Sequence, residues 1–519
     1  MSFGRFTHAT LAVVVSAAVT LAAQPQTPKP WDEIPLTVPI VHKAMAYVPK
    51  HPVSSVFLFI SGDGGWELGV VDMARRIMPK AIVIGISYPA LKTAQGVGTQ
   101  CWQPAGSLEE IAHAAERALK LPEYYPPILL GYSSGATAVY AGLAGAPPQT
   151  FSGGLSLGFC PDLPSLRPVC NADNFKPTFD AKKNTAWLPK VPSVPKDWFV
   201  LNGIQDQVCL PPDMHAFLDD MKNVPFIEVP GTGHGFSRPI RWGQPFDDAV
   251  DELIKIATRP TKAATPSPPA AREMEQRLGA LSLPLEYRWA EQPRASVIFL
   301  SGDGGWATID ERLATYLSAH GVSVVGLSSL RYFWNAKTPE QTGADVRKIS
   351  DVLADAGVPQ FVGGYSFGAE VTPFALDTWA AADRRRIKGE MLIAPGETAS
   401  FEISTLDWVR RAKETPRRVA DAVGRVGIPT FCLAGQTEDP HDTACDDLGK
   451  SATTVRLPGS HHFNGKYDDV GKAVLGFIEQ HLPDAVRNQR FKIPPYPPAI
   501  NVDTSLRTRG KSSTPGYAR

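Results

Sequence analysis

The chain has 519 residues, which is too long for one typical domain and predicts two to four. Apolar residues make up 43% and charged residues 20%, so a wholly disordered or collagen-like protein is excluded. Lysine plus arginine equals aspartate plus glutamate at 52 each, so no overall basic field favours a nucleic-acid partner. Beyond the first 23 residues no apolar run is long enough for a spanning helix, which excludes a multispanning membrane protein.

Residues 1–23 have the pattern of a secretory signal peptide. Arg5 and His8 precede an apolar stretch that begins at Leu11 and ends in small residues. We expect cleavage after Ala22 or Ala23, and the alternative is an uncleaved anchor. In both cases the body of the protein is predicted to be exported.

Three motifs occur in the same order in both halves of the chain. They are Ser-Gly-Asp-Gly-Gly-Trp at 61–66 and 301–306, Gly-Tyr-Ser-X-Gly-Ala at 131–136 and 364–369, and a Pro-Gly turn before histidine at 230–231 and 458–459. Ordered repetition over this length indicates a duplicated domain.

The repeat divides the mature chain into domain 1 at 31–257 and domain 2 at 276–485. Residues 258–275 are rich in proline and are predicted to form an extended linker. Residues 486–519 are polar, basic and proline-rich, and we predict a disordered tail. Loose contact of this tail with anionic lipid headgroups is the alternative.

Short apolar runs alternate with helical patterns in each half. In domain 2 the predicted strands are 297–300, 322–327, 360–363, 391–394 and 430–434, with helical patterns at 310–319 and 342–356. Continuous apolar strands suit a parallel sheet that is covered on both faces. The predicted fold class is therefore α/β, with two tandem α/β-hydrolase-like domains, each a mostly parallel sheet with helices on both faces.

Two serines have the sequence context of a nucleophile elbow. Ser133 and Ser366 each follow an apolar strand within Gly-Tyr-Ser-X-Gly and precede a helix. The glycines allow the tight turn, and the backbone amide after each serine, at Ser134 or Phe367, is placed to bind an oxyanion. Ser156 also lies between suitably spaced glycines, but it aligns with a plain strand in domain 2, so we predict a structural role for it.

The order serine, acid, histidine predicts the other members of two triads. In domain 1 these are Asp206 and His234. In domain 2 two histidines are adjacent, and aligning the Pro-Gly turns selects His462, the second of them, as the base. The acid of domain 2 is predicted as Asp439, with Glu438 as the alternative.

The repeated Ser-Gly-Asp-Gly-Gly-Trp loop is placed to supply the second oxyanion donor of a hydrolase. The residues predicted for oxyanion or substrate binding in this loop are Gly64, Gly65, Gly304, Gly305 and Trp306. The alternative is a tight turn with a tryptophan in the core. Asp63 and Asp303 are predicted either as helix caps or as contacts to a cationic substrate group.

The chain has six cysteines, and export makes disulfides possible. Cys432 and Cys445 are the only two in the second half, so we predict that they pair. The other four allow three connectivities, and free buried thiols are the alternative throughout. No P-loop, zinc-protease motif or clustered metal ligands occur, so we predict neither a metal nor a cofactor.

Several motifs carry a family resemblance. They are the Gly-Asp-Gly-Gly-Trp loop, Ser-Leu-Arg-Tyr-Phe-Trp at 329–334, Lys-Thr-Pro-Glu at 337–340, Gly-Tyr-Ser-Phe-Gly at 364–368 and Pro-Gly-Ser-His-His-Phe at 458–463. Together they resemble the bacterial virulence-protein family VirJ/AcvB, over nearly the whole mature chain and most strongly over domain 2.

The resemblance implies a periplasmic enzyme that hydrolyses aminoacylated phosphatidylglycerol, such as the lysyl or alanyl ester. Ser366, His462 and Asp439 would then be its nucleophile, base and acid. It also implies a role in envelope homeostasis and virulence, with components of a type IV secretion system as partners. Domain 1 matches the family motifs less well. The resemblance does not decide whether domain 1 is catalytically active or mainly positions the lipid or a partner.

The sequence is also compatible with two other functions. The chain could instead be a non-catalytic periplasmic binding protein that serves a secretion system, or a broad-specificity esterase or lipase. The aromatic residues 332–334 are predicted either to meet lipid or to pack in the interior. Arg331 is predicted either to bind lipid phosphate or to form a surface ion pair.

Overall fold

The computed structural model describes residues 29–96, 100–147, 149–171, 175–194, 196–258, 269–403, 417–438 and 443–487. The predicted signal peptide, residues 259–268 of the predicted linker, residues 488–519 of the predicted tail, and Asp439 lie outside these ranges. Within them the chain forms two large sheets, one in each half.

The sheet of domain 1 has eight strands. They are β1 (Trp31–Leu36), β2 (Ala44–Pro49), β3 (Val56–Ile60), β4 (Ile82–Ile86), β5 (Ile128–Tyr132), β6 (Gly153–Leu157), β10 (Trp198–Gly203) and β11 (Phe226–Val229). The intervening β7 (Asp162–Pro164), β8 (Thr178–Asp180) and β9 (Thr185–Trp187) make a small separate sheet. The order of the large sheet is β1-β2-β4-β3-β5-β6-β10-β11, and its strands from β4 to β11 are parallel.

The sheet of domain 2 has seven strands. They are β12 (Leu285–Arg288), β13 (Ala295–Leu300), β14 (Val322–Leu327), β15 (Gln360–Tyr365), β16 (Ile387–Ile393), β19 (Thr430–Gly435) and β20 (Thr453–Leu457), while β17 (Thr398–Ala399) pairs with β18 (Arg417–Arg418). The order is β12-β14-β13-β15-β16-β19-β20, in which β12 alone is antiparallel. The parallel parts of the two sheets have the same strand order, so the predicted fold class is confirmed.

Helices connect the strands of both sheets. In domain 1 they are α1 (Leu68–Ala74), α2 (Tyr88–Gln95), α3 (Pro104–Ala118), α4 (Ser134–Gly145), α5 (Pro211–Leu218) and α6 (Pro239–Thr258). In domain 2 they are α7 (Pro269–Gly279), α8 (Thr308–Ala319), α9 (Ser329–Tyr332), α10 (Pro339–Leu353), α11 (Phe367–Asp377), α12 (Ala381–Arg384), α13 (Val419–Val426), α14 (Tyr467–Gln480) and α15 (Asp484–Arg487). Short 3-10 helices lie at Ala354–Ala356, Ala444–Asp446, Gly449–Ser451 and Phe463–Gly465.

The central strands are apolar on both sides because helices cover both faces of each sheet. In β13, Ile298 and Leu300 belong to one hydrophobic cluster, whereas Val297 and Phe299 belong to the cluster on the opposite face. Ser156 is fully buried in β6, where its hydroxyl donates to the carbonyl of Ala136. The structural role that we predicted for this serine therefore fits its position.

Three disulfides join all six cysteines: Cys101–Cys170, Cys160–Cys209 and Cys432–Cys445. The last is the pair predicted from the sequence, and the first two resolve the connectivity that the sequence left open. Their formation indicates an oxidising compartment, as export would provide.

The end of the predicted linker is helical rather than extended. Residues 269–275 form the start of α7, and Leu278 at its other end is fully buried in the core of domain 2. The helix therefore extends domain 2 towards the N-terminus beyond the predicted boundary. Across the part of the chain that the structure describes, no helix combines the length and apolarity that a membrane span requires.

Both sheets place their functional loops at a topological switch point. The chain runs from β3 outward to β4 on one side and to β5 on the other, and β13, β14 and β15 repeat this pattern. A crevice forms at the carboxyl ends of strands where the order reverses in this way. In domain 1 the glycine-rich loop follows β3 and the elbow serine follows β5. In domain 2 they follow β13 and β15.

Candidate active sites

Both elbow serines have strained backbones. Ser133, between β5 and α4, has φ 54° and ψ −122°, and Ser366, between β15 and α11, has φ 51° and ψ −118°. Positive φ is unfavourable for a residue with a Cβ atom and persists only where the surroundings impose it. This conformation projects each hydroxyl from a sharp turn between strand and helix.

Glycines close to each serine make the turn possible. A Cβ atom at Gly131 would lie 2.1 Å from the carbonyl oxygen of Gly135, and one at Gly364 would lie 2.3 Å from the carbonyl carbon of Gly368. These distances leave no room for any other residue. The Gly-X-Ser-X-Gly spacing is therefore a steric requirement of both elbows.

In domain 1 the three predicted residues form one hydrogen-bonded chain. Nε2 of His234 lies 3.0 Å from Oγ of Ser133, and Nδ1 of His234 lies 2.9 Å from Oδ2 of Asp206. The other oxygen of Asp206 accepts hydrogen bonds from the amides of Val208 and Cys209 at 2.8 and 2.9 Å. These bonds fix the carboxylate, which in turn orients the imidazole towards the serine.

The carboxyl group of Asp206 is tuned by opposing effects. Burial raises its pKa, but the hydrogen bonds from His234 and from the two amides lower it more strongly, and the net pKa lies below the ordinary value. The carboxylate is therefore ionised at neutral pH and can accept a hydrogen bond from the Nδ1–H group of the histidine.

Domain 2 has an equivalent chain with different members from those predicted. Nε2 of His461 lies 2.9 Å from Oγ of Ser366, and Nδ1 of His461 lies 2.7 Å from Oε1 of Glu438. The second oxygen of Glu438 accepts a hydrogen bond from the amide of Gly435 at 3.0 Å. The acid is thus the alternative considered from the sequence, and Asp439 lies outside the described residues.

The prediction of His462 as the base is wrong. Its Nδ1 lies 2.7 Å from the hydroxyl of Tyr365, while His461 takes the place beside the serine. The reason is the length of the turn. Two residues separate Gly231 from the histidine of domain 1, but only Ser460 separates Gly459 from the first histidine of domain 2.

A tyrosine before each serine holds the histidine turn. The hydroxyl of Tyr132 donates to the carbonyl of His234 at 3.2 Å, and that of Tyr365 donates to the carbonyl of His461 at the same distance. Sequence reasoning did not assign these residues. The available signal was the repetition of tyrosine within Gly-Tyr-Ser in both halves.

The glycine-rich loop approaches the nucleophile through its first glycine, which the sequence analysis did not select. A Cβ atom at Gly62 would lie 3.1 Å from Cβ of Ser133, and one at Gly302 would lie 3.8 Å from Cβ of Ser366. The next glycines along the loop, Gly64 and Gly304, have open space beside them. Backbone of this kind allows close approach of a substrate.

The later loop residues turn away from the serine. Gly65 and Gly305 have φ of 80° and 76°, and a Cβ atom would face Ser87 at the first position and Leu330 and Ser328 at the second. The ring of Trp306 is buried against Gly326, where a Cβ atom would lie 2.0 Å from the ring. The prediction that Trp306 binds the oxyanion or substrate is therefore wrong, because its indole fills the core.

A cavity of about 330 Å³ opens beside the first site. Its lining includes Gly64, Gly65 and Tyr132, together with Phe236 and Trp242 from the segment after His234. The mixture of exposed backbone and aromatic rings suits a small apolar group with a polar end.

Ser134 and Phe367 begin the helices that follow the nucleophiles. Amides in the first turn of a helix have no acceptor within it and point towards its N-terminus, where the dipole favours negative charge. Their side chains differ: the hydroxyl of Ser134 donates to Asp63, whereas the ring of Phe367 packs at 5.0 Å against Phe333.

One group of side chains in the described part of the chain has the spacing of metal ligands, namely Asp206, Cys209 and His234. Asp206 and His234 hydrogen-bond to each other, and Cys209 is in a disulfide. Each potential ligand is thus already engaged.

The order of strand, elbow, acid and histidine turn in domain 2 agrees with the motifs identified in the sequence. Residues 295–482 match the bacterial virulence protein (VirJ) family. The matched VirJ segment contains Ser366, Glu438 and His461, and it confirms the resemblance over this part of the chain. A comparison with curated protein sequences gives no match.

Solved structures similar to the chain include several esterases and hydrolases. Est1E from Butyrivibrio proteoclasticus is 16% identical, with 38% of this chain and 92% of that chain covered and a TM-score of 0.28. An esterase domain from Rhodothermus marinus is 14% identical (43% and 98% covered, TM-score 0.29). A lidless α/β serine hydrolase from Xanthomonas campestris is 17% identical (47% and 100% covered, TM-score 0.27).

The VirJ motif at 329–334 packs inside the protein rather than facing a membrane. Trp334 is 2% exposed and its indole donates to the carbonyl of Leu121 in domain 1. The guanidinium of Arg117 lies over the same indole at 3.9 Å, and Arg331 pairs with Glu123 at 3.8 Å. Of the sequence-based alternatives, interior packing and the ion pair are therefore the ones observed.

Proposed function

We propose that this chain is an exported serine hydrolase that cleaves the aminoacyl ester of aminoacyl-phosphatidylglycerol. It would release a free amino acid, such as lysine or alanine, and phosphatidylglycerol. The observation that carries the proposal is the hydrogen-bonded chain of Ser366, His461 and Glu438 within the VirJ-matching segment. The family resemblance of the motifs supplies the substrate class.

The geometry supports acyl transfer through a covalent intermediate. Oγ of Ser366 attacks the aminoacyl carbonyl carbon while its proton passes to Nε2 of His461. Glu438 accepts the Nδ1 proton in a hydrogen bond and stabilises the imidazolium that forms. The proposed donors to the negative charge that develops on the carbonyl oxygen are the amide of Phe367, at the start of α11, and the backbone at Gly302, which lies close to Ser366.

Collapse of the tetrahedral intermediate breaks the ester bond. His461 returns its proton to the glycerol oxygen, so that phosphatidylglycerol leaves as a neutral alcohol at that position. A water molecule then attacks the aminoacyl-serine ester with His461 again as the base. This second step releases the amino acid and restores the hydroxyl of Ser366.

An extracytoplasmic site of action is also supported. The sequence pattern of residues 1–23 predicts export, and three disulfides suit an oxidising compartment. We place the enzyme in the periplasm, where the aminoacyl headgroups of the outer leaflet are exposed.

Domain 1 is proposed as a second hydrolytic site. Ser133, His234 and Asp206 are aligned as closely as their counterparts in domain 2, and a cavity opens beside them. A binding module without catalytic activity would not require this alignment.

The test is a lipid assay with the mature protein in mixed micelles of lysyl- or alanyl-phosphatidylglycerol. We expect wild type to release amino acid and Ser366→Ala to lose at least about 10³-fold in rate through domain 2. Ser133→Ala and the double variant are assayed in parallel, and their rates give the contribution of domain 1 to the release of amino acid. Loss only in the double variant means that both sites act.

Two results would overturn the proposal. Wild type that releases no amino acid from either lipid would exclude the substrate class. A double variant with full activity would exclude both serines as nucleophiles. Simple acyl esters form the third arm, and a clear preference for them would favour a broad-specificity esterase.

A further inference from the structure

The two candidate active sites differ at the residue that follows the nucleophile. Domain 1 has Ser134 and domain 2 has Phe367 at the first position of the helix. Both side chains are buried. The same loop position opposite them holds an aspartate in each case, Asp63 or Asp303.

In domain 1 this aspartate is already engaged. Oγ of Ser134 donates to Oδ2 of Asp63 at 2.5 Å. The contact shows that an acid at this position of the loop reaches the residue whose amide faces the expected oxyanion. Asp63 is therefore close to the reacting centre, with part of its hydrogen-bonding capacity satisfied by the protein.

In domain 2 the hydroxyl is missing. Phe367 turns its ring towards Phe333, and it has no group that could donate to Asp303. Within the described ranges, the carboxylate of Asp303 has no hydrogen-bond or ion-pair partner, and the residue is exposed. It is not a helix cap, since α8 begins after Ala307 and its capping carboxylate is Asp310.

Asp303 directly follows the loop residue that contacts the nucleophile. The preceding residue, Gly302, packs directly against Tyr365 and Ser366, with its Cβ position 3.8 Å from Cβ of Ser366. An aminoacyl ester carries its α-ammonium nitrogen two bonds, about 2.5 Å, from the carbonyl carbon. The ammonium group therefore lies close to the carbon that Ser366 attacks, in the neighbourhood of this loop.

We propose that Asp303 binds the α-ammonium group of the aminoacyl substrate and so selects aminoacyl esters over simple acyl esters in domain 2. This inference rests on the proposed function and deepens it. The charged hydrogen bond would position the carbonyl against Ser366. Lysyl and alanyl groups share this ammonium, so the contact is independent of the side chain.

Electrostatics gives the same direction of preference. A carboxylate without a counter-charge on the glycine-rich loop disfavours the negative charge that develops in the transition state, because like charges repel. An α-ammonium group neutralises Asp303 and removes this penalty, whereas an ester without an amine leaves it in place. In domain 1, the hydroxyl of Ser134 supplies some of this compensation within the protein.

The test compares alanyl and propionyl esters of one alcohol, which differ by the amino group alone. The enzyme carries Ser133→Ala, so that only domain 2 reacts. We expect Asp303→Asn to lower the alanyl-to-propionyl ratio of kcat/KM by roughly 10-fold or more, the usual range for a lost charged hydrogen bond. Asp484→Asn is the matched control, since it removes the same charge from a side chain that is 87% exposed at the start of α15.

The outcomes separate this inference from the proposed function. A fall in the ratio for Asp303→Asn, with the ratio of Asp484→Asn unchanged, supports the ammonium contact. An unchanged ratio for Asp303→Asn overturns it, whatever happens to the absolute rates. Wild type that releases alanine from neither the ester nor alanyl-phosphatidylglycerol fails the proposed function itself, and the ammonium contact falls with it.

Discussion

Two adjacent histidines end the second histidine turn, and they have different tasks. His461 directs Nε2 to the nucleophile, whereas His462 directs Nδ1 to the hydroxyl of Tyr365. Tyr365 also donates to the backbone of His461, so it connects both residues of the pair. The base is thus held from two sides, by its acid and by this tyrosine.

His461→Gln is expected to abolish ester hydrolysis by domain 2, with a loss of at least about 10³-fold, because glutamine cannot take the serine proton. His462→Gln is expected to lose no more than about tenfold, since it touches the tyrosine and not the nucleophile. Both variants are measured in the Ser133→Ala background. Equal losses in the two variants would contradict the assignment of the base.

Most of the triad residues could be predicted from the sequence, because the serine, the acid and the histidine follow successive strands in a fixed order along the chain. The serine, acid and histidine of domain 1 were each predicted correctly. In domain 2 the base was missed by one position, since sequence alone does not show how many residues a turn needs between its glycine and its histidine. The positioning tyrosines were missed because their contacts join distant segments.

The acid and the histidine turn differ together between the two domains. Domain 1 pairs an aspartate with a turn that has two residues, Thr232 and Gly233, before its histidine. Domain 2 pairs a glutamate with a turn that has one, Ser460. The longer side chain of the glutamate compensates for the shorter turn. The distance from Nδ1 of the histidine to the carboxylate oxygen is therefore similar in both domains, at 2.9 Å in domain 1 and 2.7 Å in domain 2.

Glu438→Asp should therefore lower kcat/KM of domain 2 by roughly 10²-fold, because the shorter side chain retracts the carboxylate by about 1.5 Å. Insertion of one glycine after Ser460 in the same variant should restore at least part of this loss. Steady-state kinetics of the single, inserted and combined variants makes the comparison. Full activity of Glu438→Asp alone would refute the coupling.

Elements with long apolar runs were predicted closely, as in 322–327, which coincides with β14. Their burial on both faces leaves few alternatives to a central strand. The start of α7 was missed because its polar, proline-led sequence resembles a linker, and its helical state depends on packing of its far end against domain 2. Trp306 was misassigned because a loop sequence does not reveal which way its last side chain turns.

The response of the whole molecule to pH follows from carboxyl groups in the core of domain 2. Burial raises the pKa of Asp310 to about 8 and that of Glu390 to about 7. Below the ordinary carboxyl pKa, both states of the chain hold these protons. As the pH rises towards 8, the unfolded chain releases them first, so stability is lost over this window.

Domain 2 should therefore become more stable on acidification from pH 8 to about pH 4.5, by about 1.4 kcal/mol per pH unit for each carboxyl within its window. Calorimetric unfolding of the full chain across this range tests the expectation. The matched variant Asp310→Asn/Glu390→Gln keeps the acceptors for Ala307 and Thr430 but cannot titrate. An identical pH dependence in this variant would refute the assignment.

A histidine of domain 1, His113, lies at the contact between the domains, and its effect on the pH dependence of stability is opposite to that of the two carboxyl groups. Burial, assisted by the charge of Arg117, lowers the pKa of His113 to about 4. The unfolded chain takes up this proton first as the pH falls below about 6.5, so acid destabilises this position. The contribution of His113 between about pH 4 and 6.5 is therefore opposite in sign to the contributions of Asp310 and Glu390.

The contact around Trp334 has a consequence for the domains as separate units. Its indole lies against Tyr124, with ring centres 5.3 Å apart, and beneath the guanidinium of Arg117, so the first domain serves as its cover. A second domain cut free at the linker would present this ring and Leu330 to water, and Leu330 packs beside Gly305 of the glycine-rich loop. The first half of the chain thus acts as a built-in solubilising partner, whatever chemistry it performs.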